Sequence, residues 1–271
     1  LGSKNAHSLL TLADCAQRLR YLNSRLTMTA LLGLDVVPIV NENDTVATDE
    51  IRFGDNDRLA SQVAAMVEGD LLILLSDVDG LYTGDPRIDK SAHHIPVVEK
   101  ITPEMEIWAG DAASSSSKGG MKTKVMAAKT AMSAGCEMVI MEGNVERPLT
   151  ALSAGVKCSW FKSSSTPNLA RKIWISGMKP KGTIIIDHGA EIALKAGKSL
   201  LSVGVKSIQG IFDRGDMVCI QNEMHQELGK GLTSYDMREA ELISGKKTSD
   251  ISEILGYEGR GALIHRDDMV L

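Results

Sequence analysis

Val36-Val37-Pro38-Ile39-Val40-Asn41-Glu42-Asn43-Asp44 decides the fold of this chain. β-Branched residues around one proline make a short apolar run that fits a buried strand, and the run empties at once into amides and carboxylates. The polar character continues to Gly54-Asp55-Asn56-Asp57. In open α/β sheets, ligands bind just beyond the carboxyl ends of strands. A strand ending in Asn41, Asn43 and Asp44 therefore predicts a site for a small polar molecule. A solvated turn accounts for a few Asn and Asp residues, but not for a stretch of this length.

Working outward, the same grammar recurs. Ala13 to Leu32 has leucines near helical spacing, with Gly33 as a stop. A helix is predicted over Asp57–Glu68, then a strand over Leu71–Leu75. That strand ends in Ser76-Asp77, with Asp79-Gly80 and Asp85-Pro86 as turn dipeptides. Ser76 and Asp77 are placed to face a nucleotide, although a well-formed loop without a ligand fits this segment alone equally well. Ser114-Ser115-Ser116-Ser117-Lys118-Gly119-Gly120-Met121-Lys122-Thr123-Lys124 then opens a helix over Met121–Ala134, which leads into a strand over Glu137–Met141. Paired glycines let backbone amides approach a phosphate, the helix start carries partial positive charge, and lysine adds a point charge. The spacing is not that of a P-loop, and a flexible Ser-Gly connector before a basic solvated helix face fits the same residues.

Strand, crossover helix, strand predicts a mostly parallel sheet covered on both faces, with 36–40, 71–75 and 137–141 as neighbouring strands. The tail differs. Short strands at Thr183–Asp187 and Met217–Gln221, Gly-rich turns, and short helices around Ala190–Ala196 and Asp236–Ile243 predict a small β-rich module. Ser163-Ser164-Ser165-Thr166-Pro167 marks the boundary. The expected organisation is an α/β domain over 1–165, a linker over 166–179 and the β-rich domain over 180–271.

At 271 residues the chain is long enough for two self-sufficient cores. Its net charge of −5 is spread: residues 1–178 carry 18 Lys and Arg against 21 Asp and Glu, and residues 179–271 carry 12 against 14. Neither half is the basic surface that nucleic acid usually requires. No apolar run reaches the length of a membrane span. Cys15, Cys136, Cys158 and Cys219 have no metal-type spacing and fit reduced thiols in a cytoplasm. His93-His94 is expected to be a loop pair rather than a metal site.

Taken in order, Val-Pro-Ile-Val-Asn-Glu-Asn-Asp at 37–44, Gly-Asp-Asn-Asp at 54–57, Asp-Gly-Leu-Tyr-Thr at 79–83 and Gly-Gly-Met-Lys-Thr-Lys at 119–124 resemble the glutamate 5-kinase family of the amino-acid kinase superfamily. The tail, with Gly-Tyr-Glu at 256–258 and His265-Arg266-Asp267-Asp268-Met269, resembles a PUA domain. The resemblance implies a three-layer αβα sandwich plus a PUA-like domain. It also implies transfer of the ATP γ-phosphoryl group to the side-chain carboxylate of L-glutamate, in proline biosynthesis, with Mg²⁺. By matching position, Asp44, Asn56, Asn41 and Asn43 would bind glutamate. Ser76, Asp77 and Lys118, Gly119, Gly120, Met121, Lys122, Thr123 and Lys124 would hold the nucleotide. Lys124 would stabilise the transferring group and Asp57 would orient the catalytic lysines. The implied partners are proline as feedback inhibitor, a homo-oligomer, and glutamate-5-semialdehyde dehydrogenase; no nucleic acid or membrane is implied.

Two departures bear on this. The family opens with a strand, a Gly-Thr-Ser loop bearing a lysine and a Ser-Gly-Ala segment that meets glutamate, none of which is found among these residues. An exposed sheet edge, an exposed helical layer, association with another chain and little activity of this chain alone are therefore expected. The family also carries Gly-Thr where this chain has Ser117-Lys118. A catalytically impaired relative with a regulatory, amino-acid-sensing or RNA-binding role is the alternative expectation.

Overall fold

The computed structural model describes residues 4–46, 55–109 and 120–271. It divides into two compact units, Leu1–Ala170 and Arg171–Leu271.

In the first unit the order is β1 (Lys4–Leu10), α1 (Leu12–Ala16), α2 (Arg18–Gly33), β2 (Val36–Glu42), α3 (Asp55–Met66), β3 (Leu71–Ser76), β4 (Leu81–Tyr82), β5 (His94–Ile95), β6 (Val97–Val98), α4 (Pro103–Trp108), α5 (Met121–Ser133), β7 (Glu137–Glu142), α6 (Pro148–Ser153) and β8 (Cys158–Phe161). The central sheet runs β3-β7-β8-β6. β3 and β7 are parallel, with Leu71 opposite Glu137 and Ser76 opposite Glu142, as the crossover pattern predicts. β8 returns antiparallel to β7.

Each face of that sheet has its own core. Met138 and Ile140 of β7 point to one side, with Leu74, Phe161, and Val125, Ala128 and Ala131 of α5. Val139 and Met141 point to the other, with Cys158 and Leu152 of α6. A strand buried on both faces carries apolar residues without alternation, which is why 138–141 is apolar throughout.

The sequence expectation fails for residues 36–40. β2 does not lie beside β3; it pairs in parallel with β1, Lys4 opposite Val36 through Leu10 opposite Glu42. The reason is α3, which packs both ways. Leu59, Val63 and Val67, spaced by four residues, join Leu10, Met28 and Val40. Ala60 and Ala64 join the core of the larger sheet. A helix, rather than a hydrogen-bond ladder, connects the two sheets among the described residues. β1 went unrecognised because its inward residues are only Ala6, Ser8 and Leu10, with His7 and Leu9 facing out. The outer face of the β1–β2 pair exposes Leu9, Val37 and Ile39.

The predicted helix over 13–32 is two helices. Thr11 and Asp14 form a reciprocal capping box for α1, and Gln17 is extended, so the chain restarts at Arg18. Gly33 lies inside α2; the left-handed residue after it is Asp35, with φ 55°. His94 sits in a strand rather than a loop. The four cysteines are free thiols; Cys136, Cys158 and Cys219 are buried.

α7 (Pro167–Ser176) spans the expected linker. The second unit contains β9 (Gly182–Ile186), α8 (His188–Lys195), β10 (Val205–Gly210), β11 (Met217–Asn222), β12 (Glu227–Leu232), α9 (Met237–Ile243), α10 (Ile251–Leu255) and β13 (Met269–Val270). Its sheet runs β10-β9-β11-β12-β13 around Ile184, Ile186, Val218, Ile220, Phe212 and Tyr235. α8 and α9 start on Asp187 and Asp236, whose carboxylates accept from the backbone N–H three residues on.

Phe161 is fully buried between β7 and α5. Phe161→Ala should lower the unfolding free energy by about 3–5 kcal/mol, measured by urea denaturation. A loss below 1 kcal/mol would mean that this core is not the one holding the first unit together.

Candidate functional site

The parallel β3–α5–β7 crossover fixes where a site can form. A crossover helix runs antiparallel to the strands it connects, so its N-terminus lies at their carboxyl edge. Ser76-Asp77 and Glu142-Gly143 occupy that edge side by side, with Gly143 N donating to Ser76 O at 2.7 Å. Ser76 Oγ donates to Asp77 Oδ1 at 3.0 Å, and Asp77 is exposed. α3 also enters β3, which brings Asn56 and Asp57 in its first turn to the same edge.

There the two helix heads meet. Lys124 Nζ donates to Asp57 Oδ2 at 3.0 Å, and Thr123 Oγ1 lies 2.9 Å from the same oxygen. Thr123 Oγ1 also reaches Gly120 O at 2.8 Å. The Lys124 side chain is 10 % exposed and that of Asp57 17 %. Helical spacing turns Lys124 inward and leaves Lys122 exposed. Gly120 caps α5 in an extended conformation with no side-chain cap, and no acidic residue lies in the first turn. The N–H groups and the positive end of the dipole are thus accompanied by lysines, an arrangement that favours an anionic ligand.

The other expected residues stand as follows. Asn41 is exposed near the end of β2, and Asn43 starts a turn in which Thr45 Oγ1 donates to its Oδ1 at 2.6 Å. Asp44 and Asn56 are exposed. Hydrogen bonds among the described residues do not join either one to Lys124. Met121 is half-buried against the core that contains Val78. Lys118 and Gly119 lie outside the described residues. The sequence did not single out Thr123 as the second group on Asp57, nor Glu142-Gly143 as part of the carboxyl edge. The register of β3 on β7 was the missing information. Among the described residues no group of three His, Cys, Asp or Glu could hold a metal ion.

With this geometry in place, similarity to known proteins is specific. Residues 3–142 match the amino acid kinase family and residues 182–255 match the PUA domain. The chain is 57 % identical over 270 residues to glutamate 5-kinase of Paracoccus denitrificans, an alignment covering 100 % of this chain and 73 % of that protein. It is 58 % identical over 270 residues to glutamate 5-kinase of Cereibacter sphaeroides, with the same 100 % and 73 % coverage. For glutamate 5-kinase of Jannaschia sp. the figures are 56 % over 271 residues, 100 % and 74 %.

Removing one partner of a buried ion pair leaves the other uncompensated. Asp57→Ala should therefore cost about 3 kcal/mol of stability, and the double variant Asp57→Ala/Lys124→Met should recover most of it. Urea denaturation of the wild type, both single variants and the double variant measures the coupling. Strict additivity would show that the two side chains do not interact.

Proposed function

We propose, for a chain that belongs to the amino acid kinase family and within it to the glutamate 5-kinases, that the Asp57–Thr123–Lys124 cluster is its phosphoryl-transfer centre. The reaction is ATP-dependent phosphorylation of the L-glutamate side-chain carboxylate to L-glutamyl 5-phosphate, the first step of proline biosynthesis. The observation that carries the assignment is an inward-turned lysine ammonium at the head of α5, held by Asp57 of α3.

A carboxylate oxygen of glutamate attacks the γ-phosphorus, the bond from that phosphorus to the β,γ-bridging oxygen breaks, and ADP leaves. With a carboxyl pKa near 4.3, the nucleophile is already ionised at neutral pH, so no general base is required. The obstacle is repulsion between anions. Lys124 Nζ places positive charge on the transferring group, and the α5 N-terminus and Lys122 add to it. Asp57 and Thr123 hold Lys124 in position. In this assignment Lys118, Gly119, Gly120 and Met121 cradle the phosphates, Ser76 and Asp77 hold the nucleotide, and Asn41, Asn43, Asp44 and Asn56 receive glutamate. Mg²⁺ would accompany the nucleotide. When bound, it neutralises phosphate charge.

Residues 1–165 are taken as the kinase domain, 166–179 as the linker and 180–271 as the PUA domain. Feedback inhibition by proline, homo-oligomerisation, product hand-over to glutamate-5-semialdehyde dehydrogenase and a cytoplasmic location belong to the same proposal. The exposed Leu9, Val37 and Ile39 support association. No helix among the described residues is long and apolar enough to cross a membrane.

Trapping the acyl phosphate with hydroxylamine in the presence of ATP, Mg²⁺ and glutamate tests this. Lys124→Met should lower turnover about 10²–10³-fold, the usual cost of one preorganised electrostatic group. Unchanged turnover would remove Lys124 from the reaction.

A further inference from the structure

Directly beyond Ser76-Asp77 the chain forms a hairpin. β4 and β5 pair antiparallel, with Leu81 opposite Ile95 and Tyr82 opposite His94. Thr83 N donates to His93 O at 3.0 Å and His93 N to Thr83 Oγ1 at 2.9 Å. The hairpin has only these short strands of its own, so its position depends on what ties it to the sheet.

Leu81 and Ile95 pack into the core of the sheet, and a polar tie comes from the head of β8. Lys157 Nζ lies 2.9 Å from Asp79 Oδ2 and 2.6 Å from Tyr82 Oη. Tyr82 Oη in turn donates to Asp79 Oδ1 at 2.8 Å. The ammonium also stands 5.0 Å from the centroid of the Tyr82 ring, and that ring meets His94 edge-on at a centroid distance of 5.2 Å. Two residues on, Ser159 Oγ donates to Ile95 O at 2.6 Å and accepts from Leu81 N at 2.8 Å, so one hydroxyl fastens both hairpin strands. Its only proton is then committed, and its 3.3 Å contact with His94 Nε2 requires that nitrogen to be the donor. Gly80 passes beneath this cluster at φ 153°, where a Cβ would stand 2.5 Å from both His94 Nε2 and Ser159 Oγ. Neither the phosphoryl-transfer centre nor the glutamate residues use any of these groups.

We propose that Lys157 is a positioning residue for the nucleotide subsite: by holding Asp79 and Tyr82 it fixes the hairpin that follows Ser76-Asp77. This rests on the assignment of Ser76-Asp77 to the nucleotide. Two electrostatic observations agree with the geometry. Burial works to raise the Asp79 pKa, but hydrogen bonds from Lys157 and Tyr82 and the Lys157 charge bring it below the usual carboxylate value. Burial lowers the His94 pKa, the Lys157 charge lowers it further, and Asp79 works against them. On the hairpin itself, Arg87 pairs with Asp85 at 2.8 Å.

The test is calorimetric titration with the β,γ-imido analogue of ATP plus Mg²⁺, on the wild type and on Lys157→Met, Lys157→Arg, Tyr82→Phe and Asp77→Asn. Lys157→Met should weaken binding about fivefold, the upper range for a partly exposed ion pair. Lys157→Arg should restore most of it, and the melting temperature should barely move. Removing the Lys157 charge should also raise the midpoint of the His94 titration, followed by its imidazole NMR signals, which reports the proximity of the two groups. His94 faces Lys157, Asp79 and Tyr82, so the direction of that shift reports on Lys157 and not on a remote group. Wild-type affinity in Lys157→Met alongside weakened binding in Asp77→Asn would overturn the positioning role while leaving the nucleotide assignment intact. No effect from either variant would overturn both. Weakened binding that Lys157→Arg does not rescue, with a fallen melting temperature, would make Lys157 a structural residue only and overturn the proposal.

Discussion

A lysine ammonium that is nearly removed from water must be paired, and Asp57 supplies the pairing for Lys124. Ion pairs of this kind contribute little net stability, because desolvation of both charges offsets most of their attraction. Two apolar residues of similar volume would hold α3 against α5 at least as well. The pair is better understood through what it presents: a cation fixed in direction, at the start of a helix, with Thr123 sharing its acceptor. Preorganisation of that kind is what phosphoryl transfer asks of a protein.

The pair forms because both helices begin at the same edge. α3 leads into β3 and α5 leads into β7, and β3 and β7 are parallel. Their N-termini consequently converge where Ser76-Asp77 and Glu142-Gly143 end the strands. α3 has a second duty, since its Leu59 and Val63, with Val67 just beyond its end, close the small β1–β2 core while Ala60 and Ala64 close the larger one. Small residues on the second face let α3 approach closely, which shortens the reach from Asp57 to Lys124. Packing on one side of the helix thereby sets the electrostatics at its end.

Much of this was legible in the sequence where periodicity and end signals agreed. The runs at 71–75 and 137–141 became a parallel pair, the helix from Met121 began where its glycines suggested, and strands and helices of the tail fell within a residue or two of expectation. What stayed hidden depended on partners far along the chain. β1 carries small and polar residues that count as a strand only beside β2. The separation of β2 from β3 follows from a helix packing on both of its faces, which one-dimensional patterning does not encode. Asp57 could be named from its motif, but not the shared oxygen that Thr123 and Lys124 both reach. Lys157 gave no sequence signal at all, being one lysine at the head of a four-residue strand, 75 residues from the tyrosine it contacts.

Charge distribution completes the physical picture. A chain with net charge −5 repels glutamate and a nucleotide triphosphate at long range. Lys118, Lys122 and Lys124 fall within one short segment, and α5 starts there without an acidic residue in its first turn. α8 and α9 differ: each has an aspartate at its N-cap, Asp187 and Asp236, and a glutamate in its first turn, Glu191 and Glu239. The contrast between these helix starts is internal to one molecule. α2, α6 and α7 share with α5 a first turn without an acidic residue. At the head of α5 the N–H groups are accompanied by Gly120, Lys122 and Lys124, a start that favours an anion.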